Sequence, residues 1–195
     1  MRVVFVTAFS QFAMDAWNLD ATGYVLKPYT AEDIQNQLAK CFYRPLPSQG
    51  IVIRTIPTLA IFVEGKAVHI SGPKPRELFA LLVDRGDRGI TTGEGISCLW
   101  PDRANDTRSQ SLFRMTYKRL TDALDEAGIG HILASKGNRR YLRVEQVDCD
   151  LYRILAGNVQ AAQQAAQKYN GAYLEEYSWS ESRNGQLHRM LLSQW

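Results

Sequence analysis

Apolar and polar positions alternate along this chain in three distinct regimes. The first begins with an unbroken apolar run, Val3 to Val6, which is the pattern of a strand buried on both faces. Residues 10–19 suit a helix, with Phe12, Ala13, Ala16 and Trp17 on one side. Gly23–Leu26 makes a second short strand, and Thr30 caps a helix expected to start at Ala31 and run to about Phe42. The order strand, helix, strand, helix predicts part of a doubly wound parallel sheet. Two strands with open edges make a poor free-standing core. Pro45 and Pro47, followed by Ser48 and Gly50, then break the pattern.

The second regime opens with strand-like runs, "IVIRTI" and "LAIFV", a turn at "EGK" and a returning strand at "AVHI". In "KPRELFALLVDRG" the apolar Leu78, Phe79, Leu81 and Leu82 recur at helical spacing and stop at Gly86. A short helix is predicted around "TTGEGISCLW", ending at Pro101. The longest helix follows in "DTRSQSLFRMTYKRLTDALDEAG", capped by Asp106 or Thr107 and closed by Gly128. "GHILASKGNRRYLRV" alternates around "KGN" and reads as a hairpin. A sheet, three helices and a terminal hairpin predict a winged helix with an added N-terminal antiparallel sheet.

From about Asp148 the pattern turns helical: "DCDLYRILAGN", "VQAAQQAAQKYNG" and "AYLEEYSWSESRNGQLHRMLLSQW". Alanine and glutamine favour helix, and Gly157, Asn158, Asn170 and Gly171 mark the joints of a small antiparallel helical array.

Composition narrows the function. The chain has 195 residues, 45% of them hydrophobic, and no apolar stretch approaches the roughly 18 residues needed to span a bilayer. We expect a cytoplasmic protein with no membrane partner. The three cysteines, Cys41, Cys98 and Cys149, lie far apart without metal-ligand spacing, so free thiols are expected and neither metal nor cofactor is implied. The net charge of +3 is uneven. Residues 51–143 carry fifteen Lys and Arg against ten Asp and Glu, a surplus of five, whereas the flanking segments are neutral or acidic. A local positive surface suits a polyanion.

The long helix shows where that surface lies. Phe113, Tyr117, Leu120 and Leu124 form one apolar stripe, and Arg108, Ser111, Met115, Lys118, Arg119 and Asp122 fall on or near the opposite side, with Arg114 flanking them. In a winged helix this side enters the major groove, where Arg and Lys meet guanine acceptors. The hairpin that follows holds Lys136, Arg139 and Arg140, suited to phosphate contact. Lys74 and Arg76, at the start of the first helix, are further phosphate candidates, equally well explained as charges that keep a helix entry soluble. Enzyme chemistry finds no footing. His69, His131 and His188 fall in three separate elements, and "TTGEG" lacks the lysine and setting of a phosphate loop. Helix capping accounts for Asp148 and Asp150 better than acid–base catalysis.

Three resemblances extend this reading over nearly the whole chain. "FVTAF" and "GYVLKPY" resemble the fourth and fifth strands of a response-regulator receiver domain. The resemblance makes Thr7 the switch hydroxyl, Tyr24 the switch aromatic and Lys27 the lysine that grips a phosphoryl group. The phosphoacceptor aspartate and the acidic pair of that family belong to strands with no counterpart here, which implies activity independent of phosphorylation. "KPRELFALLVDRGDRGITTGEGISCLWPD" and "LFRMTYKRLTDALDEAG" resemble the DNA-binding domain of the antibiotic-regulatory-protein (SARP) type. "DCDLYRILAGN" and "YNGAYLEEYSWSESRNGQL" are similar to a short bacterial transcriptional activator domain. The match departs at Thr121 and at "NRRYL", so no base preference carries over.

The expected architecture is α+β and multi-domain: a receiver-like β-α-β-α segment at 1–43, a linker at 44–50, a winged helix at 51–147 and a helical array at 148–195. The expected function is a non-enzymatic, sequence-specific transcription regulator that binds double-stranded DNA, as a homodimer and with RNA polymerase as a further partner. Two alternatives stand beside it: an interaction module derived from a regulator that no longer binds DNA, and a fragment of a longer two-component regulator.

Overall fold

A computed structural model describes residues 4–9, 23–30, 33–34 and 50–192. The helices expected at 10–19 and over most of 31–42, the linker from 44, Cys41 and the side chain of Tyr24 lie outside the described residues. Strands β1 (Val4–Thr7) and β2 (Gly23–Leu26) pair in parallel, Val4 opposite Gly23 and Thr7 opposite Leu26. Thr30 is a helix cap as expected. Its hydroxyl accepts from the Asp33 amide at 3.2 Å, and the Asp33 carboxylate accepts from the Thr30 amide at 2.8 Å.

The second regime builds a four-stranded sheet. β3 (Ile51–Arg54), β4 (Ala60–Val63) and β5 (Lys66–Val68) run antiparallel in sequence order. Glu64 and Gly65 both take positive φ, 49° and 77°, the conformation that a tight two-residue hairpin needs. The fourth strand, β9 (Val147–Cys149), lies parallel to β3 with Ile51 opposite Val147. The sequence gives no sign of it, because three residues are too few to show alternation. The boundary expected between 147 and 148 therefore falls inside a strand.

Next comes α1 (Pro73–Arg85), which starts on a proline and buries Leu78, Phe79, Leu81, Leu82 and Val83 completely. The two-residue strand β6 (Ile90–Thr91) leads into α2 (Thr92–Leu99), and α3 (Thr107–Glu126) follows after an exposed connection. β7 (Leu133–Lys136) and β8 (Arg139–Leu142) form the expected hairpin, and β6 pairs with β8 to make a three-stranded sheet in the order β6, β8, β7. Gly89 is required where β6 meets β8. Its φ is +61°, and a Cβ there would strike the Arg140 carbonyl oxygen and Tyr141.

In the third regime α4 (Asp150–Leu155), α5 (Val159–Ala166) and α6 (Glu181–Leu192) form. Asn158 caps α5 by accepting from the Ala161 amide at 2.8 Å. "AYLEEY", expected to begin a helix, is irregular instead. Tyr173 and Leu174 are fully buried there, and the Leu174 amide donates to the Pro57 carbonyl at 3.0 Å. Burial of two large side chains against the winged helix outweighs the local helix preference. One hydrophobic core runs from Ile51 to Leu191 through all of these elements.

Asp148 and Asp150 also take roles other than capping. The residue that caps α4 is Cys149, without a side-chain hydrogen bond. Asp148 forms an ion pair with Arg153. Asp150 accepts from the Leu151 amide in the first turn of α4 at 2.8 Å, as a capping residue would, and also reaches back to the end of β3, accepting from the Thr55 amide at 3.0 Å and the Thr55 hydroxyl at 2.8 Å. A carboxylate that sits beside β3 can satisfy those buried donors directly, and this is worth more than one exposed cap.

Candidate nucleic-acid interface

The site is the outward side of α3 together with the β7–β8 hairpin. Asp106 starts α3 by accepting from the Ser109 amide at 2.7 Å, and that hydrogen bond holds its carboxyl below the usual value of 3.8. Phe113, Leu120 and Leu124 are fully buried, Thr116 nearly so, and Tyr117 is half-buried. The apolar stripe read from the sequence is thus the packed side of the helix.

α2 holds α3 at close range. A Cβ on Gly95 would run into the Phe113 ring, so the two helices cross where α2 has no side chain. The start of α2 is secured by Thr91 and Glu94. The Thr91 hydroxyl accepts from the Glu94 amide at 3.2 Å, and the Glu94 carboxylate accepts from the Thr91 amide at 2.7 Å. That amide is the main reason the Glu94 carboxyl lies below its ordinary value.

The basic residues singled out from the sequence divide into two groups. Arg108, Arg114, Lys118 and Arg119 are exposed on α3 beside Ser111 and Met115, and Met115 is 56% exposed. Lys136 is exposed at the hairpin turn. Their intramolecular contacts are light. Arg114 donates to the Ser111 hydroxyl at 3.1 Å, and Lys118 pairs with Asp122 at 2.8 Å across two well-exposed side chains, a pairing of small worth in water.

The second group is partly buried and makes hydrogen bonds within the fold. Lys74 donates to Glu77 at 2.7 Å and to the Leu99 carbonyl at 2.5 Å, and lies 5.8 Å from the Trp100 ring centre. Arg76 donates to the Leu59 carbonyl at 2.7 Å. Arg139 donates to the Gly89 carbonyl at 3.2 Å and lies 3.5 Å from Glu94. Arg140 donates to the Thr92 hydroxyl at 2.9 Å, with its guanidinium 5.2 Å from the Phe113 ring centre and 4.9 Å from that of Tyr117. These four cations tie elements of the winged helix together. Thr92 and Glu94, which the sequence did not single out, are the partners that hold the hairpin to α2.

Near its C-terminal end α3 turns acidic. Asp122, Asp125 and Glu126 line an open hollow with His69, Ser71 and Arg119. Carboxylates repel a polyanion, so this end of α3 suits one less well than the first two-thirds of the helix and the hairpin. Among the described residues no group of histidine, cysteine and carboxylate side chains is arranged to hold a metal ion, and no helix is long and apolar enough to cross a membrane.

The receiver-like residues are close to one another. Thr7 ends β1, Lys27 follows β2, and the Lys27 amide donates to the Thr7 carbonyl at 2.9 Å. The Thr7 hydroxyl accepts from the Phe9 amide at 3.2 Å, and the Lys27 side chain is exposed.

Comparison with known proteins gives one kind of likeness. No protein-family model matches the chain, and no curated protein matches it in sequence. Among solved structures it is similar in fold to Mycobacterium tuberculosis EmbR, determined in complex with a low affinity phosphopeptide. The superposition gives a TM-score of 0.55 at 18% sequence identity and covers 73% of this chain. The chain accounts for 43% of the length of that protein. The mixed α and β architecture is therefore one that EmbR shares.

Proposed function

We propose that this chain is a sequence-specific DNA-binding transcription regulator whose α3 enters the major groove while the β7–β8 hairpin lies on neighbouring phosphates. The observation that carries the reading is the state of α3. It is capped, packed along one full side and closely held by α2, yet it leaves Arg108, Arg114, Lys118, Arg119 and Met115 in solvent. A helix fixed on one side with cations on the other is what direct base readout needs. The fold likeness supports the same conclusion, because EmbR is a transcription regulator of the SARP family. Arg108, Lys118 and Arg119, with Ser111, Arg114 and Met115, are the base-edge and flanking contacts, and Lys136 is a phosphate contact.

The proposed assembly is a homodimer on two half-sites. The two-stranded parallel sheet leaves Phe5 39%, Val6 42% and Leu26 44% exposed, an apolar surface of the kind a second copy covers. RNA polymerase is the further partner. Binding is expected to be independent of phosphorylation of this chain.

The test is fluorescence anisotropy against genomic DNA fragments over a salt series. Log affinity should fall linearly with log salt, with a slope of about −0.9 per phosphate engaged. Replacing Arg108, Lys118 and Arg119 together by alanine should abolish sequence-dependent binding, since each base-reading side chain removed costs about 1–3 kcal/mol. Sequence-dependent binding that survives this triple change would put the base contacts on other residues, and an unmodified chain that binds genomic fragments no better than scrambled DNA would leave an interaction module as the better account. Acetyl phosphate should leave the affinity unchanged.

A further inference from the structure

We propose that Arg140 is a positioning residue, which locks the recognition helix α3 to the hairpin and sets the angle at which the two meet DNA, and that it does not itself hold a phosphate. The inference rests on the DNA-binding reading above and deepens it. Along β8 side chains alternate between the two faces. Arg140 shares its face with Leu142, which is completely buried, so it points toward the helices and away from solvent. Its guanidinium then meets three side chains on two helices at once. It donates to Thr92 in the first turn of α2, and it lies over the rings of Phe113 and Tyr117 on α3.

The chemistry suits a clamp. A guanidinium is planar and can lie against aromatic faces while its edge donates hydrogen bonds, which an ammonium cannot do. Phe113 is fully buried, so the cation sits over a desolvated ring. Tyr117 lies one turn further along α3, so the pair of rings defines the helix's rotation about its own axis as well as its distance from β8. A change here would turn Arg108, Lys118 and Arg119 together relative to Lys136, although none of them touches Arg140 directly.

The test uses the full chain and the same DNA and salt series. Thr92→Val removes the oxygen that Arg140 donates to and leaves every cation in place. Arg140→Lys and Arg140→Gln remove the stacked plane, with and without the charge. Circular dichroism checks that each variant is folded. In a positioning role all three variants weaken binding, the Arg140 variants by about tenfold, with the log–log salt slope of the unmodified chain. Lysine does not restore what glutamine loses. Adding Tyr117→Leu to Arg140→Gln costs little more, because the clamp is already open.

The opposite pattern overturns the proposal: Thr92→Val without effect, lysine restoring affinity, and Arg140→Gln flattening the slope by about 0.9, as removal of one phosphate-binding cation does. Absence of salt-dependent DNA binding in the unmodified chain overturns the DNA reading and this inference with it. That failure is distinguishable because it appears before any substitution is made.

Discussion

Asp84, only 4% exposed at the end of α1, joins groups far apart in the chain. It accepts from the Tyr173 hydroxyl at 3.1 Å and from Arg183 Nε at 3.0 Å, and Arg85 lies 3.2 Å away. Arg183 also donates to the Asp84 backbone carbonyl. A buried carboxylate is tolerable only when such donors surround it. Burial, and then the Asp84 charge, push the Tyr173 hydroxyl well above the ordinary value for a phenol, so it remains a donor throughout the accessible pH range. Tyr173→Phe keeps the ring and removes that donor, and should cost about 2 kcal/mol in urea unfolding, the range for a hydrogen bond to a charged group. Gly95→Ala sets two effects against each other. Alanine favours helix over glycine by up to ~1 kcal/mol, whereas crowding a packed core costs about 1–3 kcal/mol. The Phe113 ring is fully buried and cannot swing aside, so the crowding should win and the midpoint of unfolding should fall. An unchanged or higher midpoint would mean that α2 and α3 separate without loss.

At the scale of elements, α3 depends on its cap, and that dependence has a sign. The Asp106 carboxyl lies below its ordinary value of 3.8 in the folded chain. Its contribution is therefore complete above that value and is lost as pH falls through the lower folded one. Asp106→Asn keeps a capping oxygen that does not titrate. The variant should match the parent at neutral pH and resist acid better below about pH 4, as read from stability measured against pH. Equal acid sensitivity in the two proteins would show that other carboxylates control it. The main helices of the winged helix were legible because their signals are local: a cap, a stripe at 3.6-residue spacing and a stop. β6 and β9 were not, since two or three residues carry no period and their pairing is decided by strands far away in the chain. The same distinction governs the basic residues. Lys118 and Arg119 could be placed in solvent from α3's own stripe, but Arg139 and Arg140 could be placed only with β6 and α2 in view. The alternation of "RRYL" was a partial clue, because Arg140 and Leu142 must share a face.

At the scale of the molecule, the helical elements after Asp148 are continuous with the winged helix. β9 pairs with β3, Tyr152 donates to the Val83 carbonyl at 2.7 Å, and Tyr173 and Arg183 hold Asp84. Leu151, Ile154, Tyr173, Leu174 and Leu187 are all buried in the shared core. Residues 51–192 should therefore unfold in one cooperative transition. Limited proteolysis should leave that span uncut between Val147 and Asp148, with mass spectrometry of the resistant fragment as the measurement. A stable fragment ending near 147 would instead establish two separable units.

The sequence by itself determined what neighbours along the chain can decide. The helix stripes, the hairpin and the concentration of positive charge between 51 and 143 all arise from side chains within a turn or two of one another. Only the tertiary structure decided which cations are free to meet a ligand and which are already engaged, because Lys74, Arg76, Arg139 and Arg140 find their partners in other elements. It also decided that "AYLEEY" is not a helix. The burial of Tyr173 and Leu174 is worth more than their local preference, and that energy exists only once α1 and the sheet are in place.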